Sequence, residues 1–98
     1  MAKINWSDEA QTWLRDIFDY IARDNPNAAA KAIAGIYERA QALTRFPGIG
    51  HRYEDIADRE VRILLYGHYR IAYLVKSEQE IDILGVFHGA LDIQRYLV

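Results

Sequence analysis

Apolar positions recur along this chain with two different periods, and the change between them divides it. "KINW", Lys3 to Trp6, alternates with Ile4 and Trp6 on one face and predicts a short first strand. From Ala10 the spacing turns helical: Ala10, Trp13, Leu14, Ile17, Phe18 and Ile21 form one broad apolar stripe. Ser7 is placed to cap this helix, with Asp8 and Glu9 complementing its positive end. Ala10 stands where a capping box would need Glu or Gln. The stripe runs out at "RDNPN". There Pro26 disfavours helical geometry at Asn25 and suits the first turn of a second helix, capped by Asn25 or Asp24. That helix is expected from about Pro26 to Arg45, with Ala29, Ile33, Ile36, Ala40 and Leu43 on its apolar face and Tyr37 beside them. Its small residues predict an antiparallel helical hairpin, with Gly35 at a close helix contact.

"FPGIGHRYEDIADRE" reads as an irregular connection, and beyond it the period is two. Val61, Ile63 and Leu65 oppose Arg62, Leu64 and Tyr66. "YRIAYLV" sets Arg70, Ala72 and Leu74 against Tyr69, Ile71, Tyr73 and Val75. "EIDILGVFH" splits Ile81, Ile83, Gly85 and Phe87 from Asp82, Leu84, Val86 and His88. Gly67-His68 predicts a two-residue hairpin turn, "KSEQE" a longer polar turn, and "GALDIQRYLV" a short helix or strap. Strand, two helices, three meandering strands and a tail make an α+β domain, its helical hairpin covering one face of a four-stranded sheet.

Composition narrows what such a domain does. Its 98 residues make one domain, 1–98, and a 51% hydrophobic share with 27% charged residues makes it globular. No apolar run approaches the roughly 18 residues that span a bilayer, and "MAKINWSDEA" lacks the apolar core of a secretory signal. With no cysteine, the chain suits a reducing cytoplasm and no membrane association is expected. The net charge of −2 weighs against nucleic acid as main ligand, because phosphate contacts supply most of a nucleic-acid binder's affinity. No direct DNA binding by the protein alone is expected.

The chemistry inventory is thin. His51, His68 and His88 fall on a loop, a turn and a strand end without paired ligand spacing, so no metal is expected. "PGIG" lacks the Lys-Ser/Thr of a phosphate loop, and no cofactor is expected. Ser7 and Ser77 are better read as cap and turn residues than as nucleophiles. A cation set remains: Arg62, Arg70 and Lys76, with no acid from Val61 to Lys76. Alternation allows Arg62 and Arg70 to share the face away from the helices, subject to strand register. Arg70 is either a surface residue paired with Asp82 or a clamp on a phosphate or carboxylate. His88 is either a hydrogen-bonded strand end or an acid–base group. Tyr69 and Tyr73 are expected to pack, and Tyr66 and Tyr96 are available as interface anchors. Trp13, Phe18, Tyr20 and Tyr37 exceed what one helix-on-sheet seam buries, which predicts a partner surface.

Taken in order, "NPNAAAKAI", "LTRFPGIGHR", "REVRIL", "YRIAYLV" and "IDILGVFHGALD" give nearly the whole chain a resemblance to the RelE/ParE superfamily of toxins from bacterial toxin–antitoxin modules. The resemblance implies a RelE-like fold and a cognate, ParD-like antitoxin that wraps the toxin. It implies one of two activities. ParE-like members poison DNA gyrase without an active site of their own. RelE-like members are metal-independent endoribonucleases that cleave mRNA in the ribosome, and here they would use Arg62, Arg70 and His88 or Tyr96. Leu64 stands where some ribonucleases carry a second lysine, and Gly89 where an arginine is expected. Leu91 departs from the arginine of the "HGxRD" ending found in ParE-like chains. The "NPxAA…FPxxG…HGxxD" pattern and the thinned cation set place the chain nearer the ParE-like branch. Antitoxin binding is then expected at Trp13, Phe18, Tyr20, Tyr37, Arg62, Arg70 and Arg95.

Overall fold

The computed structural model describes residues 1–54 and 58–88. Strand β1 (Lys3–Trp6) leads into helices α1 (Asp8–Ala22) and α2 (Pro26–Gln41), and α2 tightens into a 3-10 turn over Ala42–Thr44. Three expectations fail here in detail. The second α-helix stops short of Arg45. The "irregular" connection contains a strand, β2 (His51–Arg52). With β3 (Val61–Tyr66), β4 (Tyr69–Ser77) and β5 (Glu80–His88), the sheet therefore has five strands among the described residues rather than four, in the order β1-β5-β4-β3-β2.

Both helix starts follow their local chemistry. Ser7 accepts a hydrogen bond from the Ala10 amide at 3.0 Å, and Asn25 accepts one from the Ala28 amide at 3.1 Å. Asn25→Ala should therefore cost about 1 kcal/mol, seen as a fall in Tm of roughly 4–8 °C by calorimetry. The β3–β4 turn is Gly67-His68, with Gly67 at φ 56, a conformation that glycine adopts without penalty. The β4–β5 turn is shorter than "KSEQE" suggests. Ser77 pairs with Glu80, and the Ser77 hydroxyl accepts the Gln79 amide at 3.1 Å. β1 lies parallel to β5 and every other pairing is antiparallel.

The main core lies between the hairpin and the sheet. Leu14, Ile36, Ala40 and Leu43 meet Leu64, Ile71, Tyr73, Ile81, Ile83 and Val86. That list contradicts simple alternation along β5, because Ile83 and Val86 share one face. The cause is a bulge. Ala72 pairs with Gly85 but Tyr73 pairs with Ile83, leaving Leu84 as the extra residue and turning the rest of β5 over. Gly85 and Phe87 thus point to the second face. A smaller core of Ile63, Ala72 and Phe87 forms there, with Tyr53 and Trp13 packed against it. Trp13 touches both cores. Its ring meets Phe87 edge-on at 4.8 Å, beside the part of β5 that extends beyond its pairing with β1. Gly35 is not at a helix–helix seam. The Tyr66 ring of β3 lies where a Cβ at Gly35 would sit, so Tyr66 packs inward rather than standing out as an interface anchor. Among the described residues no helix is long and apolar enough to cross a membrane.

Candidate functional site

Strand pairing decides which charged groups meet. Across the β3–β4 hairpin Arg62 pairs with Tyr73 and Leu65 with Arg70. Partners across a ladder share a face, so Arg62 lies on the helix side with Tyr73, and Arg70 on the opposite side with Leu65 and Phe87. The common face that alternation allowed for the two arginines is ruled out by register. Because of the Leu84 bulge, His88 pairs with Tyr69 and joins the helix side. Arg62 and His88 then stand four residues apart along β4, about 13 Å at the strand rise. Arg62, Arg70 and His88 are not gathered around any one point.

Each has its own surroundings. The Arg62 Nε donates to Glu60 Oε2 at 2.7 Å, and its Nη1 donates to the carbonyls of Gly50 at 2.7 Å and Gly48 at 3.2 Å. This guanidinium is committed to holding a loop. The Glu60 carboxylate also offsets the repulsion between Arg62 and Arg52, which pair directly across β2 and β3. Arg70 is exposed and makes no ion pair with any described residue. Asp82, its expected partner, pairs with Leu74 and accepts from Asn5 Nδ2 at 3.0 Å, with Lys76 Nζ at 3.6 Å. His88 is exposed, its ring 6.2 Å from His68 in a stacked arrangement and 5.8 Å from Tyr69 edge-on. Tyr96 and Arg95 lie outside the described residues.

Tyr73 is fully buried and hydrogen-bonded at both ends of its hydroxyl's capacity. It donates to the Pro47 carbonyl at 2.7 Å and accepts from the Gly50 amide at 2.9 Å. Burial pushes its pKa above the ordinary tyrosine value, against the lowering effects of the Gly50 amide and the Arg62 charge.

The helical hairpin carries the aromatic surface expected of it, with one exception. Tyr20 is 72% exposed, and Phe18 and Tyr37 are each more than a third exposed. Trp13 is instead half-buried against Phe87, and Tyr37 keeps one side on Trp6 at 4.5 Å. Between α1 and the ends of β4 and β5 lies a groove of about 510 Å³. Trp13, Ile17, Tyr69 and Val86 give it apolar walls, Tyr20 stands at its mouth, and Asp16 and His88 are its polar side chains. The sequence reading missed Leu65 of β3, 52% exposed, and two exposed apolar side chains of one loop, Phe46 at 61% and Ile49 at 46%. The available signal was "FPGIG" itself: apolar residues between turn formers belong to no periodic face. Among the described residues no group of three or more His, Cys, Asp or Glu is placed to hold a metal ion.

The chain has clear relatives. The family described as "ParE toxin of type II toxin-antitoxin system, parDE" matches residues 4–93. A curated protein of Sinorhizobium fredii (strain NBRC 101917 / NGR234), named "Putative toxin Y4kP", is 33% identical over 87 residues, covering 89% of this chain and 88% of the relative. The solved structure titled "Chromosomal ParDE TA system from P. aeruginosa" superposes with a TM-score of 0.74 at 26% identity, covering 90% of this chain and 96% of that one. The match spans the strand, the hairpin and the meander alike, and this chain belongs to the ParE toxin family of type II toxin–antitoxin systems.

Proposed function

We propose that this toxin acts in the cytoplasm by binding and inhibiting DNA gyrase, and that a ParD-like antitoxin neutralises it by covering the helical hairpin. The observation that carries the reading is the dispersal of the candidate catalytic groups. Arg70 stands on the face opposite Arg62 and His88, and Arg62 is already bonded to Glu60, Gly48 and Gly50. Stabilising a scissile phosphate takes preorganised charges converging on one point, and these do not converge. A toxin that works by binding needs only surface.

Arg70→Ala is the direct test. Purified wild-type protein should inhibit gyrase supercoiling, and the Arg70→Ala protein should retain that inhibition within about threefold. In a nuclease the same change would remove transition-state charge stabilisation and lower the rate on the order of 100-fold. Ribosome-dependent mRNA cleavage that collapses in folded Arg70→Ala protein would overturn the gyrase reading.

Support for the antitoxin surface comes from the exposed Phe18, Tyr20 and Tyr37 and from the groove beneath Tyr20. Such aromatics suit an amphipathic segment that orders as it binds. Arg70 and Arg95 are the cations proposed to meet its acidic side chains; Arg62 is left out because its bonds are internal. Tyr20→Ala should weaken antitoxin binding by about tenfold or more, measured by calorimetric titration. Its Tm should stay within a few degrees of wild type, since the side chain is largely exposed.

A further inference from the structure

The loop from Phe46 to Gly50 combines two properties that rarely occur together. It is rigid. The Phe46 amide donates to Ala42 O at 3.0 Å and the Ile49 amide to Phe46 O at 3.1 Å. Tyr73 and Arg62 then reach up from the sheet and hold Pro47, Gly48 and Gly50 through their backbones. Yet the side chains this scaffold presents are apolar and exposed: Phe46 and Ile49, with Gly48 between them, surround a shallow depression of about 470 Å³. A single exposed apolar residue needs no explanation. Two of them on a loop fixed from below form a preorganised surface, which loses little conformational entropy when a partner docks.

Charge sets the chemistry of the partner. Residues 45–52, "RFPGIGHR", contain two arginines and no acid. Arg45 and Arg52 are exposed and make no ion pair with any described residue. The outward side of α1 has the reverse character, with Asp8, Glu9, Asp16 and Asp19 against Arg15. The two surfaces are also separate. The loop is held over Tyr73 and Arg62, whereas the groove is lined by Tyr69, four residues along β4 or about 13 Å at the strand rise, and closes on His88.

We propose that the Phe46–Ile49 loop, flanked by Arg45 and Arg52, is the surface with which this toxin grips its protein target, and that the target presents acidic side chains around an apolar contact. The assignment rests on the toxin reading above and adds the part of the molecule that faces the target. It also separates target binding from antitoxin binding in space.

The test uses the full chain with both Phe46→Ser and Ile49→Ser, and a second variant with Arg45→Glu and Arg52→Glu. Each is expressed from a titratable promoter, with and without the antitoxin encoded beside it. Both variants should need at least tenfold more expression than wild type to arrest growth, while binding the antitoxin within threefold and melting within a few degrees of wild type. Growth arrest at wild-type dose in the Ser variant overturns the proposal. So does loss of antitoxin binding in that variant, which would give the loop to the antitoxin. Toxicity lost only in the Glu variant would make this a phosphate-binding surface and overturn the protein-docking assignment. The comparison is between variant and wild type, so it is read whatever the target is. Failure of the gyrase reading shows separately, as wild-type growth arrest with unimpaired supercoiling.

Discussion

Gly50→Ala should lower stability by about 3 kcal/mol, a fall in Tm of roughly 12–24 °C for a domain of this size. A Cβ at Gly50 would stand 2.7 Å from the Ile63 carbonyl oxygen, 2.9 Å from its carbon and 2.8 Å from the Tyr73 hydroxyl. Two of these atoms are backbone of a paired strand, so relief requires moving β3 or lifting the loop. Lifting the loop breaks the Gly50 amide bond to Tyr73 and stretches the short Arg62 bond to the Gly50 carbonyl. Gly48→Ala is the matched control. There the nearest atom is Arg62 Cζ at 3.9 Å, an ordinary contact, and Tm should move by only a few degrees. Differential scanning calorimetry of the pair separates close approach at Gly50 from loop glycine content in general. Equal melting temperatures for the two variants would sink the argument.

Tyr73→Phe should cost about 2–4 kcal/mol although it removes only one oxygen, because a buried amide and a half-buried carbonyl lose their bonds together. The Gly50 amide and the Pro47 carbonyl are both left facing an apolar ring edge. The pH dependence follows from the same hydroxyl. Burial raises the Tyr73 pKa above its ordinary 10.0, which means that the folded state holds this proton more tightly than the unfolded chain does. The stabilisation is therefore fully present below pH 10.0 and is lost as pH rises through the higher folded value. Urea unfolding at intervals through the alkaline range should show wild-type stability falling, and Tyr73→Phe showing a shallower fall from a lower start. A variant that unfolds with the wild-type alkaline profile would locate the transition in other groups.

Arg62 links these predictions to function. It holds the loop from one side as Tyr73 does from the other, and the loop they hold displays Phe46 and Ile49. The sequence placed Arg62 among the candidate site residues because it is a cation without a nearby acid in its own strand. Its acid is Glu60, just before the strand begins.

The sequence by itself determined the elements whose causes are local. Ser7 and Asn25 cap the helices because each offers an oxygen to a backbone amide three residues on. Gly67 turns the β3–β4 hairpin because it accepts a positive φ, and the apolar stripes of α1 and α2 face the sheet because their period matches the helix. The five short motifs that carried the family resemblance are likewise strings of neighbours. What only the tertiary structure decided is who meets whom across strands. One extra residue, Leu84, turns the end of β5 over and sends His88 to the helix side; the isolated Gly85 beside it is a bulge signal, but it does not say which face the following residues take. Hairpin register put Arg62 and Arg70 on opposite faces, and β2 formed from two residues that only the edge of β3 could pair. Alternation fixes which residues share a face within one strand. The face each set takes depends on pairing with residues distant in sequence, where a single inserted position inverts the outcome.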